Sequence, residues 1–285
     1  MLERVDRVQL VVKDRQAAAR TFGEVLGAQP VREAPSAYLG ASRLVLALGS
    51  SEVELCEPSG PGPAAEHLSA QGEGLMTAGF STRDMAALKA SLERHGCRFA
   101  SEGAQVYLEP SETLGMRVVL TPDTARTSVG LVSRLYEVTN TLTSDWRAAA
   151  DRYTRIFGLD PSRFSPIASE HFGYVGTLAM FNPKDRLDRI EISQVTNSKS
   201  AMGRWVAKRG DSLYMCYVEA DDVRPIIERL AARGGRFTTR GADPATERDG
   251  LWVHPSALCG LLLGVSRTTA GWEWSGQPAR VAGGR

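Results

Sequence analysis

The chain has 285 residues, of which 42% are hydrophobic and 24% are charged, and its formal net charge is +1. This length suits about two globular domains, and the composition excludes disordered, collagen-like and disulfide-scaffold proteins. The near-neutral charge argues against a nucleic-acid partner. The longest apolar run, 258–265, is far shorter than the roughly 20 residues of a membrane-spanning helix. With a charged N-terminus and four scattered cysteines, we expect a reduced, cytoplasmic protein with no membrane partner.

Four segments along the chain repeat one pattern. Each opens with a short run of β-branched and apolar residues that ends at an aspartate: Asp14, Asp84, Asp145 and Asp222. An amphipathic helix follows, which the aspartate caps and a glycine ends: Gly27, Gly96, Gly158 and Gly234. Further strand-like runs complete each segment. Each segment therefore predicts a βαβββ module.

A single module leaves one face of its sheet bare, so we expect the modules to pair. The prediction is an α+β fold with two tandem domains, each a curved mixed sheet built from two modules. The first domain spans 1–123, with modules 1–58 and 74–123, and the second spans 129–268, with modules 132–198 and 210–268. A tail, 269–285, follows. The Thr-, Pro- and Gly-rich run 121–130 is the predicted linker, and 58–74 is a predicted solvated loop.

The runs VDRVQLVVKDRQAAARTFGEVLG, VELCEP and HPSALCGLLLGV, with their internal counterparts, resemble the vicinal oxygen chelate (VOC) superfamily over nearly the whole chain. That superfamily includes glyoxalase I, methylmalonyl-CoA epimerase, extradiol dioxygenases and bleomycin resistance proteins. The resemblance implies the four-module fold and a divalent metal. The metal is held by His or Gln seven residues before the strand-ending Asp, and by Glu on the last strand of the module.

The metal positions implied by the resemblance carry few ligands in this chain. They are Arg7, Thr77, Val138 and Met215 on the first strands and Glu54, Val119, Glu191 and Gly264 on the last strands. Each half keeps one carboxylate, whereas a catalytic transition metal needs about three protein ligands. We therefore expect no family-type metal and no cofactor. An atypical metal site, formed by Glu191 with His254 or His171, stays open as an alternative.

The two halves predict different cavities. In the first half, Arg7 and Glu54 suggest a structural ion pair, although an anion pocket on Arg7 or Arg117 stays open. In the second half, Glu191 is one carboxylate among aromatic and apolar groups, which is typical of a small-molecule site. Desolvation there would raise its pKa into the range that suits a general base. The competing interpretation is a salt bridge from Glu191 to Arg189, Arg186 or Lys184.

We interpret the protein as an enzyme that moves a proton next to a carbonyl, of isomerase or lyase type, without the usual metal. Its substrate would be a small carbonyl, carboxylate or CoA-thioester metabolite. The candidate catalytic residues are Glu191 and His254, and the candidate substrate-binding residues are Tyr136, Asn140, Arg189, Met215, Tyr217 and His171. One alternative is a protein that binds and sequesters a small molecule. The basic stretch 198–215 is either a solvated helix face or a binding surface for a carboxylate, phosphate or CoA tail. The tail tryptophans leave a homodimer open.

Overall fold

The computed structural model describes residues 1–181, 186–240, 250–267, 271, 272 and 275. Within them the first half contains strands β1 to β8: Arg4–Val11, Gln29–Glu33, Ala41–Leu48, Ser51–Pro58, Gly74–Thr82, Ala100–Glu102, Gln105–Leu108 and Val118–Pro122. The second half contains strands β9 to β16: Arg134–Leu142, Ser165–Ser169, Tyr174–Met180, Arg189–Val195, Ser212–Glu219, Phe237–Thr239, Gly250–Val253 and Leu263–Ser266. Helices α1 to α6 span Arg15–Leu26, Pro63–Gln71, Met85–Arg94, Trp146–Phe157, Ala201–Arg209 and Arg224–Ala232.

The strands form two eight-stranded mixed sheets with the same order. The first sheet runs β2-β3-β4-β1-β5-β8-β7-β6, and the second runs β10-β11-β12-β9-β13-β16-β15-β14. Each module pairs its first and last strands in parallel, as in β1 with β4 and β9 with β12. Its other neighbouring strands pair antiparallel. The predicted α+β fold of four βαβββ modules in two tandem halves is confirmed.

Three of the four helix starts have the predicted capping aspartate, whereas the N-cap of α6 is Val223 rather than Asp222 and makes no side-chain capping hydrogen bond. The carboxylate of Asp14 accepts hydrogen bonds from the backbone of Gln16 and Ala17, and Asp84 and Asp145 cap α3 and α4 in the same way. Gly27 ends α1 in the left-handed conformation, with φ 74°. Two further helices, α2 and α5, lie between the modules of each half. The segment 58–74, predicted to be a solvated loop, therefore contains a helix.

Contacts divide the described residues into two compact units. Unit 1 comprises 1–6, 77–124 and 137–214. In its core, the Phe80 ring packs edge-on against Phe157 and Phe181, at centroid distances of 6.1 and 5.5 Å. Unit 2 comprises 7–76, 125–136 and the described part of 215–285. The predicted domain boundaries stay a prediction.

Much of the predicted linker is packed within unit 2. The backbone of Val129 exchanges two hydrogen bonds with Gly49, and Leu131 N donates to Leu26 O at 2.9 Å. Gly130 has φ 87°, and a Cβ atom there would lie 2.6 Å from Leu26 O. Only a glycine therefore fits this close approach of two backbones. Of the predicted tail 269–285, the described residues are Gly271, Trp272 and Ser275, and the rest lies outside the described part of the chain.

None of the helices in the described ranges is long and apolar enough to cross a membrane. All four cysteines, Cys56, Cys97, Cys216 and Cys259, are free thiols.

Candidate functional site

In the first half, one face of β1 and β4 carries a buried cluster of charges. Arg7 Nη1 lies 2.6 Å from Glu54 Oε1 and 2.8 Å from Glu52 Oε2. Glu54 also accepts hydrogen bonds from Gln9 at 2.8 Å and from Arg43 at 2.9 Å. Burial acts to raise the pKa of Glu54, but the charges of Arg7 and Arg43 outweigh it and hold that pKa below its ordinary value. Glu54 is therefore an ionised, fully paired carboxylate.

The two arginines considered for an anion pocket, Arg7 and Arg117, are both paired with carboxylates. Arg32 donates two hydrogen bonds to Glu52, at 2.6 and 2.8 Å, and Arg126 lies 3.4 Å from the same carboxylate. Arg117 pairs with Glu109. These contacts favour the interpretation of the first half as a structural ion-pair cluster.

In the second half, the same two strand positions carry the opposite charges. The sheet register pairs Arg7 with Glu52 in the first half and Glu137 with Arg189 in the second. Arg189 Nε lies 2.5 Å from Glu137 Oε2, and both residues are buried. Arg186 pairs with Asp188 at 2.7 Å. Two of the three cations proposed as partners for Glu191 are thus paired elsewhere, and the third, Lys184, lies outside the described residues.

Glu191 is partly buried on β12, at the position equivalent to Glu54, and its neighbours are hydroxyl groups. Ser193 Oγ donates to Glu191 Oε1 at 2.6 Å, and Thr139 Oγ1 donates to Oε2 at 3.2 Å. No described arginine, lysine or histidine lies within 4 Å of this carboxyl. Desolvation first, and then the negative charge of Glu137, raise the pKa of Glu191 to about 8. Near neutral pH this carboxyl is therefore mostly protonated.

The face of β9 beside Glu191 differs from the expected one. Thr139 contacts Glu191, so Glu137, Thr139 and Thr141 share its face, and Tyr136 and Asn140 point to the other side of the strand. Asn140 Nδ2 donates to Tyr153 Oη of α4 at 2.7 Å, and Tyr153 Oη donates to Thr113 O at 2.6 Å. The expected grouping of Tyr136 and Asn140 with Glu191 on one strand face is corrected accordingly.

The physical reason is a difference of one residue between the two strands. Counting seven residues back from Asp145 gives Val138, but the register aligns Glu137 with Arg7. Because side chains alternate along a strand, a shift of one residue exchanges every side chain between the faces. Glu137 and Thr139, which the sequence analysis missed, are the residues that face Glu191. The reversed charges of Arg7–Glu52 and Glu137–Arg189 were the signal in the sequence that could have identified this register.

Tyr217 and Met215 are buried residues of unit 2, whereas Glu191 belongs to unit 1. Tyr217 Oη accepts a hydrogen bond from Trp252 Nε1 at 2.8 Å, and its ring lies 5.9 Å from that of Tyr136. Tyr136 is fully buried, with its hydroxyl 2.7 Å from Ser266 Oγ. Tyr136, Tyr217 and Trp252 thus form an aromatic cluster, and the ligand-binding roles of Met215 and Tyr217 stay predictions.

The two candidate histidines lie at the ends of strands. His171 is exposed in the turn between β10 and β11, with its ring 4.7 Å from that of Phe172. His171 lies before the start of β11 at Tyr174. Leu178, which pairs with Glu191 in the register, is four residues further along the strand, or about 13 Å. His254 follows β15, and its Nε2 lies 2.8 Å from Thr238 Oγ1. The described contacts connect neither histidine to Glu191.

The metal positions implied by the resemblance do not fit a family-type ion. In the first half, the guanidinium of Arg7 already bridges Glu52 and Glu54. In the second half, Glu191 accepts hydrogen bonds from two hydroxyl groups. The nearby carboxylate of Glu137 is already ion-paired with Arg189. Among the described residues, no group of three or more His, Cys, Asp and Glu side chains is placed to hold a metal. A catalytic transition metal requires about that number of ligands.

Comparisons with known proteins agree with this architecture. Residues 6–112 match the sequence profile of the Glyoxalase/Bleomycin resistance protein/Dioxygenase superfamily. A triple mutant of 4-hydroxymandelate synthase from Streptomyces coelicolor is similar in structure, with a TM-score of 0.72 at 15% identity, over 93% of this chain and 92% of that one. A xylose isomerase-like TIM barrel/4-hydroxyphenylpyruvate dioxygenase fusion protein has a TM-score of 0.62 at 12% identity, over 100% of this chain and 53% of that one.

A variant of methylmalonyl-CoA epimerase from Streptomyces coelicolor also matches, at 21% identity and a TM-score of 0.41, over 44% of this chain and 100% of that one. No curated protein sequence matches the chain. The likeness to the 4-hydroxymandelate synthase variant and to the fusion protein, at 15% and 12% identity, shows the fold alone.

Proposed function

We propose that the chain is a member of the Glyoxalase/Bleomycin resistance protein/Dioxygenase superfamily, the vicinal oxygen chelate proteins, whose sequence profile residues 6–112 match, and that its second half transfers a proton next to the carbonyl group of a small molecule. Glu191 is the proposed acid–base group. The chemistry is of isomerase or lyase type, and no step of it uses a metal.

The observation that carries this proposal is the contrast between two equivalent carboxylates. Glu54 is held by two arginines and an amide, so it can neither accept nor release a proton near neutral pH. Glu191 has hydroxyl partners, and its pKa of about 8 is close to the operating pH. A general base works best when its pKa lies near the ambient pH, because it is then both available and sufficiently basic.

The proposed reaction consists of two proton transfers, both through Glu191. The Glu191 carboxylate takes a proton from the carbon beside the carbonyl, and the electrons of the broken C–H bond form the enolate. The protonated Glu191 then returns a proton to the same carbon, and the electrons of the enolate form the new C–H bond as the carbonyl group is restored. Ser193 and Thr139 bond to different oxygens of the carboxyl and so hold its plane fixed. Arg189 forms an ion pair with the adjacent Glu137, whose negative charge still acts on Glu191. The catalytic role of His254 stays a prediction, as do the ligand contacts of Met215, Tyr217 and His171.

The test is hydrogen–deuterium exchange at carbon, followed by NMR in D2O with a panel of small carbonyl compounds. We expect the wild-type protein to accelerate exchange for at least one member. Glu191→Gln should slow that exchange by roughly 10² to 10⁴-fold, the usual contribution of a general base. Glu228→Gln, which removes an exposed carboxylate from α6, is the matched control and should leave the rate unchanged.

Two outcomes would count against the enzyme. If a panel member binds to the wild-type protein without exchanging, the site is that of a binding protein, which is the alternative class. If exchange occurs and survives Glu191→Gln, another group is the base.

A further inference from the structure

The helix that follows β12 presents an unusual concentration of positive charge. Residues 194–210 contain four cations, Lys199, Arg204, Lys208 and Arg209, and no aspartate or glutamate. Lys199, Arg204 and Lys208 are exposed. None of these three forms an ion pair with a carboxylate among the residues that the structure describes. Arg204 and Lys208 are four residues apart on α5 and thus lie on one side of it.

Ordinary helix electrostatics explain only part of this arrangement. Cations in the last turn, Lys208 and Arg209, interact favourably with the negative end of the helix dipole. Lys199 and Arg204 lie before and within the first half of α5, where the dipole favours anions instead. Like charges four residues apart also destabilise a helix by a few tenths of a kcal/mol. A bound anion would remove both penalties.

Helix α5 packs against β12, the strand that carries Glu191, and an aromatic contact joins it to Tyr214 of β13. The Arg209 guanidinium lies 4.0 Å from the Trp205 ring centroid, and the Trp205 ring packs edge-on against Tyr214 at 5.3 Å. Trp205 Nε1 donates to Ser212 Oγ at 3.1 Å, which fixes the indole. Tyr214 lies on β13, two residues after Ser212. All these residues belong to unit 1, together with Glu191.

The charges of Glu191 and Arg204 both act on the phenol of Tyr214. Burial raises the pKa of its phenol first, the charge of Glu191 raises it further, and the charge of Arg204 lowers it.

We propose that the ligand of the Glu191 site carries an anionic group, a carboxylate or a phosphate, which Arg204 and Lys208 bind while the rest of the molecule extends past Tyr214 toward Glu191. The inference rests on the proposed function only for the position of the reacting carbon. It adds the class of substrate: carbonyl compounds with an anionic tail, in preference to their uncharged counterparts. Guanidinium and ammonium groups recognise both kinds of anion, and charge-assisted hydrogen bonds are stronger than neutral ones.

The test compares three matched pairs of carbonyl compounds by calorimetry at low salt. The pairs are levulinate with its methyl ester, dihydroxyacetone phosphate with dihydroxyacetone, and acetoacetyl coenzyme A with the acetoacetyl thioester of N-acetylcysteamine. We expect the anionic member of at least one pair to bind at least about tenfold more tightly, a difference that 0.5 M salt should reduce. Which pair responds distinguishes a carboxylate, a simple phosphate and a nucleotide-bearing tail.

The variant is Arg204→Gln with Lys208→Gln, and the control is Arg20→Gln with Arg94→Gln. Both double variants lower the net charge by two, and all four side chains are exposed, so we expect both to fold, as circular dichroism would show. The first should lose the preference for the anion and the second should keep it. No preference in any pair, or a preference that survives in the first variant, overturns the inference.

The outcomes for the two proposals are separable. If binding prefers the anion and loses that preference in the Arg204 and Lys208 variant, but no compound exchanges protons, then the anion site stands and proton transfer by Glu191 is rejected. If exchange depends on Glu191 but is indifferent to the anion, the reverse holds.

Discussion

At the scale of single residues, Glu54 and Glu191 show how the same carboxylate acquires two chemistries. They occupy equivalent positions on β4 and β12, opposite Gln9 and Thr139 in the register. In the first half the arginine beside the carboxylate is Arg7, which lies on the neighbouring strand and bonds to it. In the second half the arginine, Arg189, lies on β12 itself and forms an ion pair with Glu137 of β9 instead. Exchanging the charges of one residue pair therefore leaves Glu191 without a cation.

This difference predicts an unusual dependence of stability on pH. The pKa of Glu191 is about 8 in the folded chain against an ordinary value of 4.5. The unfolded chain therefore releases this proton first as pH rises. The contribution to the unfolding free energy is complete below about pH 4.5 and is lost progressively by about pH 8, at no more than roughly 1.4 kcal/mol per pH unit.

Urea unfolding at several pH values would measure the effect. Over that window, Glu191→Gln should become steadily more stable relative to wild type, because its amide does not ionise. Near pH 5 the two proteins should differ little. Glu228→Gln, with an exposed carboxylate, should follow the wild-type curve, and a Glu191→Gln curve parallel to wild type would contradict the raised pKa.

The buried charges of the first half predict a second residue-scale effect. Arg7→Met should lower the unfolding free energy by about 3–5 kcal/mol, because it removes the buried cation that bonds to both Glu52 and Glu54. Of the remaining arginines, Arg32 pairs with Glu52 and Arg43 with Glu54. Arg15→Met is the matched control, since the Arg15–Glu57 pair is partly exposed at 3.4 Å, and it should cost less than about 1 kcal/mol. Equal costs in urea unfolding would mean that the cluster is not a buried, mutually dependent network.

At the scale of elements, the strands and helices were predictable from the repeat, but the face of β9 was not. Strand–aspartate–helix–glycine patterns recur four times, and each recurrence confirms the others, so the four modules could be identified without a structure. The face of one strand depends on a single residue between β9 and Asp145, and no repeat of that coarseness resolves it. Helices α2 and α5 have no counterpart in the βαβββ pattern, which is why a loop was expected at 58–74.

Strands β13 and β16 offer an element-scale prediction through Gly264. Its neighbour in the register is Tyr217, and a Cβ atom at 264 would lie 2.1 Å from Tyr217 Cε1. Gly264→Ala should therefore displace the ring, break the Trp252–Tyr217 hydrogen bond and cost about 1–3 kcal/mol, the usual price of overpacking.

Urea unfolding and the emission of Trp252 would record this change. Adding Tyr217→Leu to Gly264→Ala should recover part of the loss, because the smaller side chain makes room for the methyl group. If the double variant loses as much unfolding free energy as the two single variants together, or more, then steric conflict with Tyr217 is not the cause.

At the scale of the whole molecule, the fold followed from the sequence more fully than the site did. Each module must pair because one face of its sheet would otherwise be bare. The four modules could therefore be assigned to two tandem pairs from the sequence. The site depends instead on which side chains neutralise one another. Arg189 was expected near Glu191 and lies two residues away on β12, but its partner is Glu137. Pairings of this kind are set by the strand register, which the repeat alone misplaced by one residue at β9.

The metal content per chain is the corresponding whole-molecule prediction. Two halves give two sites that the resemblance assigns to a metal, and each fails for its own reason: Arg7 occupies the first as a permanent cation, and the second has one carboxyl that is mostly protonated near neutral pH. A metal must displace that proton, so affinity should be weakest where the proton is held. Elemental analysis of protein purified without added metal should give well below one transition metal per chain. The same value is expected for Glu191→Ala. A stoichiometric metal in the wild type that disappears in Glu191→Ala would place an ion in the second half and reverse the assignment of Glu191 from proton carrier to ligand.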